Sequence, residues 1–258
     1  MFPTRLLALT RAVSPRIAEC ELTFLARDPI DYRRAESQHA AYERCLEELG
    51  AVVERVPGDP AWADGVFIED TAVVLDEVAV VTRPGAASRR GEVAGLAEAL
   101  GRYRRVAAIE APGTLDGGDV LRVGRLLYVG RSTRSDAEGI AQLARLVTRW
   151  GYTVVPVEFG GCLHLKSAAT RVAETTVLLN PGWVAPHTFH GLDLVETHPA
   201  EPSAANALPC GDRLIYPAAC PRTADRLARH GLRLRTVDLS ELARAEGGVT
   251  CCSLLVSA

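Results

Sequence analysis

Several things are missing from this 258-residue chain, and each absence removes a class of function. No apolar run approaches the roughly 20 residues that span a bilayer. Leu6-Leu7-Ala8-Leu9 is too short for the core of a secretion signal, and no convincing cleavage site follows it. Neither sign of charge is in excess: 29 basic against 32 acidic residues leave a net charge of −3. That balance offers no footprint for nucleic acid and no basic face for an anionic membrane. The seven cysteines are an odd set without paired spacing, and two of them are adjacent. A disulfide framework is therefore not expected, and a reducing, cytoplasmic setting is. No glycine-rich loop joins a strand to a helix with the spacing that cradles a phosphate; Gly117-Gly118 lacks it. No linker or low-complexity segment divides the chain, so one domain over residues 1–258 is expected.

What is present is a recurring order of elements. A strand over 5–9 precedes a helix over 31–49, whose apolar positions Tyr32, Ala35, Tyr42, Cys45, Leu46 and Leu49 follow a helical period before Gly50 stops it. A strand over 52–56 and a hairpin over 72–75 and 78–82 come next. The order then repeats. A helix opens near Ser88, a strand lies near Val106, and a hairpin covers 120–123 and 126–129. A helix follows from the capping box Ser135-Asp136-Ala137-Glu138. Beyond the strand over 153–157 lie hairpins over 169–172 and 176–179, then 207–208 and 214–216. A helix started by Pro221, a strand over 232–237 and a final strand at Cys251 complete the pattern. The hairpins recur roughly every 40–50 residues, the spacing of a repeat architecture. The last strand has no hairpin partner, and the orphan N-terminal strand can supply one. These observations predict a five-bladed α/β propeller with pseudo-fivefold repeats, closed by pairing of the N- and C-terminal strands.

The last residues, Gly247 to Val256, read as a tight turn and then a strand, so Cys251 and Cys252 are expected on opposite faces. Free cysteine is usually only a small buried hydrophobe. The repeat gives these two another prospect, because the segments before each hairpin occupy equivalent places and should converge. Those segments carry Asp64, Glu69 and Asp70, then Asp116 and Asp119, then His164, then Asn206, then Cys251. Cysteine with histidine is a nucleophile–base pair. The surrounding carboxylates are acceptors, which suit a cationic substrate rich in N–H groups, and guanidinium matches them bidentately.

Asp64-Gly65-Val66-Phe67-Ile68-Glu69-Asp70, Thr82-Arg83-Pro84-Gly85 with Ser88-Arg89-Arg90, Leu115-Asp116-Gly117-Gly118-Asp119, Leu163-His164-Leu165-Lys166-Ser167 and Thr250-Cys251-Cys252-Ser253 resemble the dimethylarginine dimethylaminohydrolase (dimethylargininase) family. That family belongs to the guanidine-modifying, or pentein, superfamily of five-bladed α/β propellers. The resemblance implies hydrolysis of free N-methylated arginine to citrulline through a cysteine thiouronium intermediate, with no metal or organic cofactor. It further implies Cys251 as nucleophile, His164 as general acid and base, and Asp116 as their partner carboxylate. Glu69 and Asp70 would hold the guanidinium. Asp64 and the backbone carbonyl of Leu22, in a mobile loop, would meet the α-amino group, near which Ala245 replaces a larger apolar residue. Arg89 and Arg134 would bind the α-carboxylate. Asn206 has no implied role. The implied partner is a small guanidino amino acid, without nucleic acid or membrane, and the protein would be a monomer or homodimer.

Other readings remain open on sequence. Arginine deiminases and amidinotransferases use the same kind of site, although the former usually carry a helical insertion for which this chain has no room. A non-enzymatic, ribosome-binding propeller would need neither Cys251 nor His164 in register with acidic segments. A redox or metal-binding role for Cys251-Cys252 is a further alternative. The loop holding His187, His190 and His198 has no supporting cysteine or carboxylate pattern for a metal.

Overall fold

In the computed structural model, which describes residues 6–257, the strands form five sheets of three. The chain begins with β1 (Leu6–Thr10), helix α1 (Tyr32–Glu48) and β2 (Val52–Arg55). The second unit is the hairpin β3 (Ala72–Val74) and β4 (Val78–Val81), then α2 (Leu96–Gly101) and β5 (Arg105–Ala108). The third is β6 (Val120–Val123), β7 (Leu126–Arg131), α3 (Ala137–Val147) and β8 (Thr153–Glu158). A one-turn helix α4 (Leu165–Ala168) leads into β9 (Ala169–Arg171), β10 (Thr176–Leu179) and β11 (Asp193–Glu196). The fifth unit is β12 (Leu208–Cys210), β13 (Arg213–Pro217), α5 (Pro221–Arg229) and β14 (Leu234–Val237), followed by α6 (Ser240–Ala243) and β15 (Leu254–Ser257).

Four of the five sheets have the same grammar: an antiparallel hairpin, then a crossover that returns a third strand parallel to the second. The remaining sheet is assembled from both ends of the chain. β1 is its middle strand, antiparallel to β15 with Leu7 opposite Val256, and parallel to β2 with Leu7 opposite Val52. The expected partnership of the terminal strands is thus observed, although Arg5, placed in the expected strand, lies outside the described residues. The first strand of every sheet contributes to the wall of one cavity of about 430 Å³: Val73, Leu121, Thr170, Leu208 and Leu254 all line it.

The helices form because their apolar stripes have sheet to cover. In α1, Ala35, Tyr42, Cys45 and Leu46 share a core with Ala8, Ile215 and Leu242. In α3, Ile140, Leu143 and Val147 pack with Val78, Val80, Leu127 and Val129. Truncating such a residue to alanine costs about 2–5 kcal/mol. No helix among the described residues is long and apolar enough to cross a membrane.

Three local expectations differ from the structure. The helix expected from Ser88 is instead a 3₁₀ stretch over Ala87–Val93, and Gly95 at φ +74° breaks the chain before α2. The cap of α3 is Asp136, whose side chain accepts from the Gly139 amide at 2.7 Å, not Ser135. Ser135 is drawn inward to Asp119. The strand expected at Cys251 begins only at Leu254, because Cys251 closes a turn with its N–H donated to the Gly248 carbonyl at 3.2 Å.

Candidate active site

The residues that carry chemistry stand just ahead of the first strands. Glu69 and Asp70 lie in a 3₁₀ turn, Ile68–Thr71, immediately before β3. Asp116 caps the 3₁₀ turn Gly117–Asp119 before β6. His164 is the first residue of the turn that opens α4 before β9, and Cys251 lies on the turn before β15. The sheet grammar brings these ends together. A small cavity is lined by Asp64, Asp70, Arg89, Arg134, His164, Ala245 and Cys251, together with Glu21, Phe67, Leu163, Glu246 and Gly247.

The Asp116-Gly117-Gly118-Asp119 segment explains itself residue by residue. A Cβ on Gly117 would stand 2.0 Å from the Glu69 carbonyl oxygen, and one on Gly118 would stand 2.7 Å from both His164 Nδ1 and Asp70 Oδ1. Only glycine lets these backbones approach so closely. The Gly118 amide then donates to Asp70 Oδ1 at 3.0 Å. Asp119, fully buried, accepts from the Ser132 and Ser135 hydroxyls and from the Leu165 amide at 3.0 Å, so it anchors the start of α4 and the His164 backbone with it. Burial pushes the Asp119 carboxyl up to about 6, against the opposing effect of His164 and these donors.

His164 Nε2 is 3.1 Å from Asp116 Oδ2, and Nδ1 is 3.7 Å from Asp70 Oδ1. Asp116 itself has no exposure; it accepts from the Gly85 amide at 3.0 Å and holds the ring from behind rather than facing the cavity. Burial disfavours the imidazolium, but Asp70 and the hydrogen bond to Asp116 outweigh it and push His164 up to about 9. The same ring and the Arg89 guanidinium overcome burial at Asp70 and hold it down at about 2. Cys251 lies on the opposite side of this balance. Burial, then the charges of Glu69 and Asp70, push its thiol up to about 12, although its Sγ accepts from the Gly248 amide at 3.2 Å. At neutral pH the pair is a thiol beside an imidazolium.

Glu69 does not line the small cavity. Its carboxylate faces the larger one, where Lys166 Nζ and Thr250 Oγ1 each donate to it at 2.6 Å. Asn206, for which the sequence suggests no role, ties this wall together. Its Nδ2 donates to the Lys166 carbonyl and to Thr250 Oγ1, and its Oδ1 accepts from the Thr250 amide, all at 3.0 Å. The chain that ends in Cys251 is therefore pinned one residue earlier. The larger cavity is not the candidate site, because His164, Asp70 and Cys251 open onto the smaller.

The two arginines separate. Arg89 is buried, with Nε and Nη2 on Glu92, Nη1 on Asp70 at 2.6 Å, and Nη2 also on the Phe67 carbonyl at 3.1 Å. A guanidinium has five N–H donors, so Arg89 retains one. Arg134, also buried, makes only a long contact from Nη2 to Thr23 Oγ1 at 3.4 Å, and its Nη1 has no partner among the described residues. The free donors suited to a carboxylate thus belong mainly to Arg134, while Arg89 neutralises Asp70 and Glu92. Arg89→Ala, which strands two buried carboxylates, is expected to lower unfolding free energy by about 3–5 kcal/mol in urea titrations. Arg134→Ala should cost far less stability and act on ligand binding instead.

Over the cavity lies the segment 21–25. The Glu21 amide donates to Asp64 at 3.1 Å, while the amides of Thr23, Phe24 and Leu25 all converge on Glu246 Oε1. Leu22 lies between these two anchors and packs on the core that contains Ala245 and Cys251. Burial pushes Asp64 up to about 6, with Arg89 opposing. With this segment down, the cavity retains only about 10 Å³, close to what one water needs.

Among the described residues, Asp70, Asp116 and His164 offer donor atoms within 4.8 Å of one another, the spacing of a metal cluster. Both ring nitrogens face carboxylates there, which is also the arrangement of an ion-paired imidazole. The histidines at 187, 190 and 198 form no such group.

No family model matches this chain. It is 42% identical over 253 residues to the N(G),N(G)-dimethylarginine dimethylaminohydrolase of Streptomyces coelicolor, covering 96% of this chain and 95% of that one. To the protein of the same name from Pseudomonas aeruginosa it is 37% identical over 226 residues, covering 87% and 89%. The chain belongs to the dimethylarginine dimethylaminohydrolase family. The crystal structure of a cysteine-to-serine variant of the Pseudomonas aeruginosa enzyme with citrulline superposes on it with a TM-score of 0.93 at 34% identity, covering 98% of this chain and all of that one. The five three-stranded sheets of this chain thus match the fold of that relative.

Proposed function

We propose that this chain hydrolyses a carbon–nitrogen bond of free N-methylated arginine, releasing methylamine or dimethylamine and leaving citrulline. The observation that carries this is the meeting of the Cys251 thiol, the His164 imidazolium and the Asp70 carboxylate in one buried cavity that also holds the unpartnered Arg134 Nη1. Family membership supports it, as does citrulline in the structure of the Pseudomonas aeruginosa relative. The lining is suited to an amino acid with a cationic side chain. Arg134, with the last donor of Arg89, receives the α-carboxylate. Asp64 and the Leu22 carbonyl receive the α-ammonium, beside the small side chain of Ala245. Asp70, and Glu69 from the wall behind, balance the guanidinium.

The guanidinium's charge lowers the thiol pKa on docking, and the thiol proton leaves to solvent. The Cys251 thiolate then bonds to the guanidinium carbon, giving a tetrahedral adduct. His164, protonated until pH rises past about 9, donates through Nδ1, the nitrogen not tied to Asp116, to the leaving amine. The carbon–nitrogen bond breaks and a thiouronium remains on Cys251. His164, now neutral, takes a proton from water and the hydroxide adds. The carbon–sulfur bond then breaks with its electron pair on Cys251, whose sulfur is reprotonated as the new hydroxyl gives up its proton to form the urea carbonyl, and citrulline departs. Asp116 keeps the ring aligned throughout as a positioning residue. Segment 21–25 must lift to admit substrate, given the space beneath it.

We read the five sheets as the blades of one closed propeller, with the larger cavity on its axis and the β1–β15 pair as its seam. The free, buried cysteines among the described residues are consistent with a cytoplasmic setting.

The test is incubation with asymmetric dimethylarginine, monomethylarginine and arginine, the last with and without glycine. The expected result is citrulline in equal amount with dimethylamine or methylamine. Ammonia from arginine alone would identify a deiminase, and ornithine formed only with glycine an amidinotransferase. In the same assay Arg134→Ala should raise KM more than it lowers kcat, and should spare an analogue without the α-carboxylate.

A further inference from the structure

Three stretches of chain deliver Asp116, Arg134 and His164, and one carboxylate that lines neither cavity reaches the backbone of all three. Asp119 is fully buried behind them. Its Oδ1 accepts at 3.0 Å from the amide of Leu165, directly after His164, whose own side chain does not cap that turn. Its Oδ2 accepts from the hydroxyls of Ser132 at 2.6 Å and Ser135 at 2.7 Å. Ser132 Oγ accepts in turn from the amides of Arg134 at 3.0 Å and Ser135 at 3.1 Å. Ser135 Oγ accepts from the Asp116 amide at 3.0 Å. The direction of every bond is fixed. An amide can only donate, so each serine oxygen is the acceptor there, and its single O–H proton is left for Asp119. Asp119 thus accepts from three donors at once. An asparagine of the same shape fails in either orientation. Its NH₂ group faces the Leu165 N–H, or it faces Ser132, whose two lone pairs are already taken.

We propose that Asp119 is a positioning residue that sets His164 and Arg134 in register with each other, aligning the acid for the leaving amine with the clamp on the α-carboxylate. This rests on the reaction proposed above. The acid is held at two points: its backbone through Leu165, and its ring through Asp116, whose amide hangs on Ser135. The clamp is held through the Ser132 hydroxyl, about which the chain turns at Arg134. From there the Arg134 guanidinium reaches Thr23 in the lid, segment 21–25. A substrate gripped by its α-carboxylate presents the leaving nitrogen to His164 only if acid and clamp keep their spacing. A misplacement of about 1 Å can cost on the order of 10²-fold in rate. Here the spacing is carried by one rigid carboxylate, with the His164 backbone on its first oxygen and both serines on its second, rather than by two independent loops.

The test follows release of the leaving group in a single turnover, from monomethylarginine and from S-methyl-L-thiocitrulline, whose methanethiol departs with little need of a proton. Asp119→Asn should slow methylamine release by about 10–10²-fold, and should slow methanethiol release by at least about fivefold less. In steady state, Ser132→Ala cuts the arm to Arg134 alone. It should raise KM for monomethylarginine about three- to tenfold and keep kcat within about twofold. Ser135→Ala, which frees the Asp116 amide, should do the reverse. Equal slowing of the two leaving groups in Asp119→Asn would overturn the alignment of His164. Parallel changes of kcat and KM in both serine variants would overturn the division into two arms, and these variants decide the matter alone if Asp119→Asn does not fold. Failure of the unaltered protein to release methylamine at all would instead overturn the proposed reaction, and this inference with it.

Discussion

Cys251→Ser is expected to lower turnover by at least about 10³-fold, while Cys252→Ser retains most of it. The two sulfurs are one residue apart and both buried, yet only Cys251 lines the cavity with His164 and Asp70. Cys252 belongs to the apolar core beneath, packed with Tyr42, Leu46 and Ile215. A serine hydroxyl at position 251 keeps the size and the hydrogen bond from Gly248, but it does not ionise near neutral pH even beside a guanidinium. At 252 the hydroxyl enters the core with only the Gly248 carbonyl nearby, 3.7 Å from the present sulfur, so the expected penalty is in stability, about 1–3 kcal/mol. Urea denaturation and steady-state citrulline formation, measured on both variants, separate the two effects. Comparable loss of turnover in both, with folding intact, would remove Cys251 from the role of nucleophile.

That the sulfurs diverge was legible in the sequence, but for a different reason from the one the structure gives. Strand alternation would have placed them on opposite faces; in fact they lie on a turn, drawn away from the strand by the Cys251-to-Gly248 hydrogen bond and by the Glu69 amide, which donates to the Cys251 carbonyl at 3.1 Å. No local pattern encodes a contact with a residue more than 180 positions away. The hairpins were readable because alternation and turn residues are local signals. Asp116, Asp119 and His164 could be placed because the repeat fixes where such segments end up, even though their partners are distant in sequence.

The supporting residues were hidden for the same physical reason. Asn206 and Thr250 are 44 positions apart and meet through two hydrogen bonds. Glu246 meets the lid across more than 220 positions, and its sole sequence signal is a charged residue beside Gly247-Gly248. Arg89 shows a related ambiguity. An arginine at the start of a helical stretch can face a ligand or neutralise buried carboxylates, and the presence of Glu92 one turn later, 2.8 Å from Nη2, was the available hint that the second task dominates.

The state of Cys251 before substrate arrives leads to an expected difference between two alkylating reagents. With the thiol pushed up to about 12 by burial, Glu69 and Asp70, roughly one part in 10⁵ is thiolate at pH 7. A neutral haloacetamide, calibrated against a free thiol, should therefore react sluggishly at neutral pH and accelerate continuously into the alkaline range. A cationic haloacetamidine carries its own charge to the carboxylates. An opposite charge within about 4–6 Å lowers an acid's pKa by about 1–3 units, so its advantage at pH 7 should be on the order of 10–10³-fold. Asp70→Asn should close the gap from both sides, since removing that charge eases ionisation of the unliganded thiol and weakens docking of the cation. His164 supplies the internal check. It is protonated below about 9 because Asp70 and Asp116 outweigh burial, so it already stands as a cation at neutral pH and cannot accept the thiol proton there. If the two reagents instead reported one shared ionisation well below pH 8 in the unliganded protein, the thiolate would be preformed by His164. The guanidinium would then have no part in generating it.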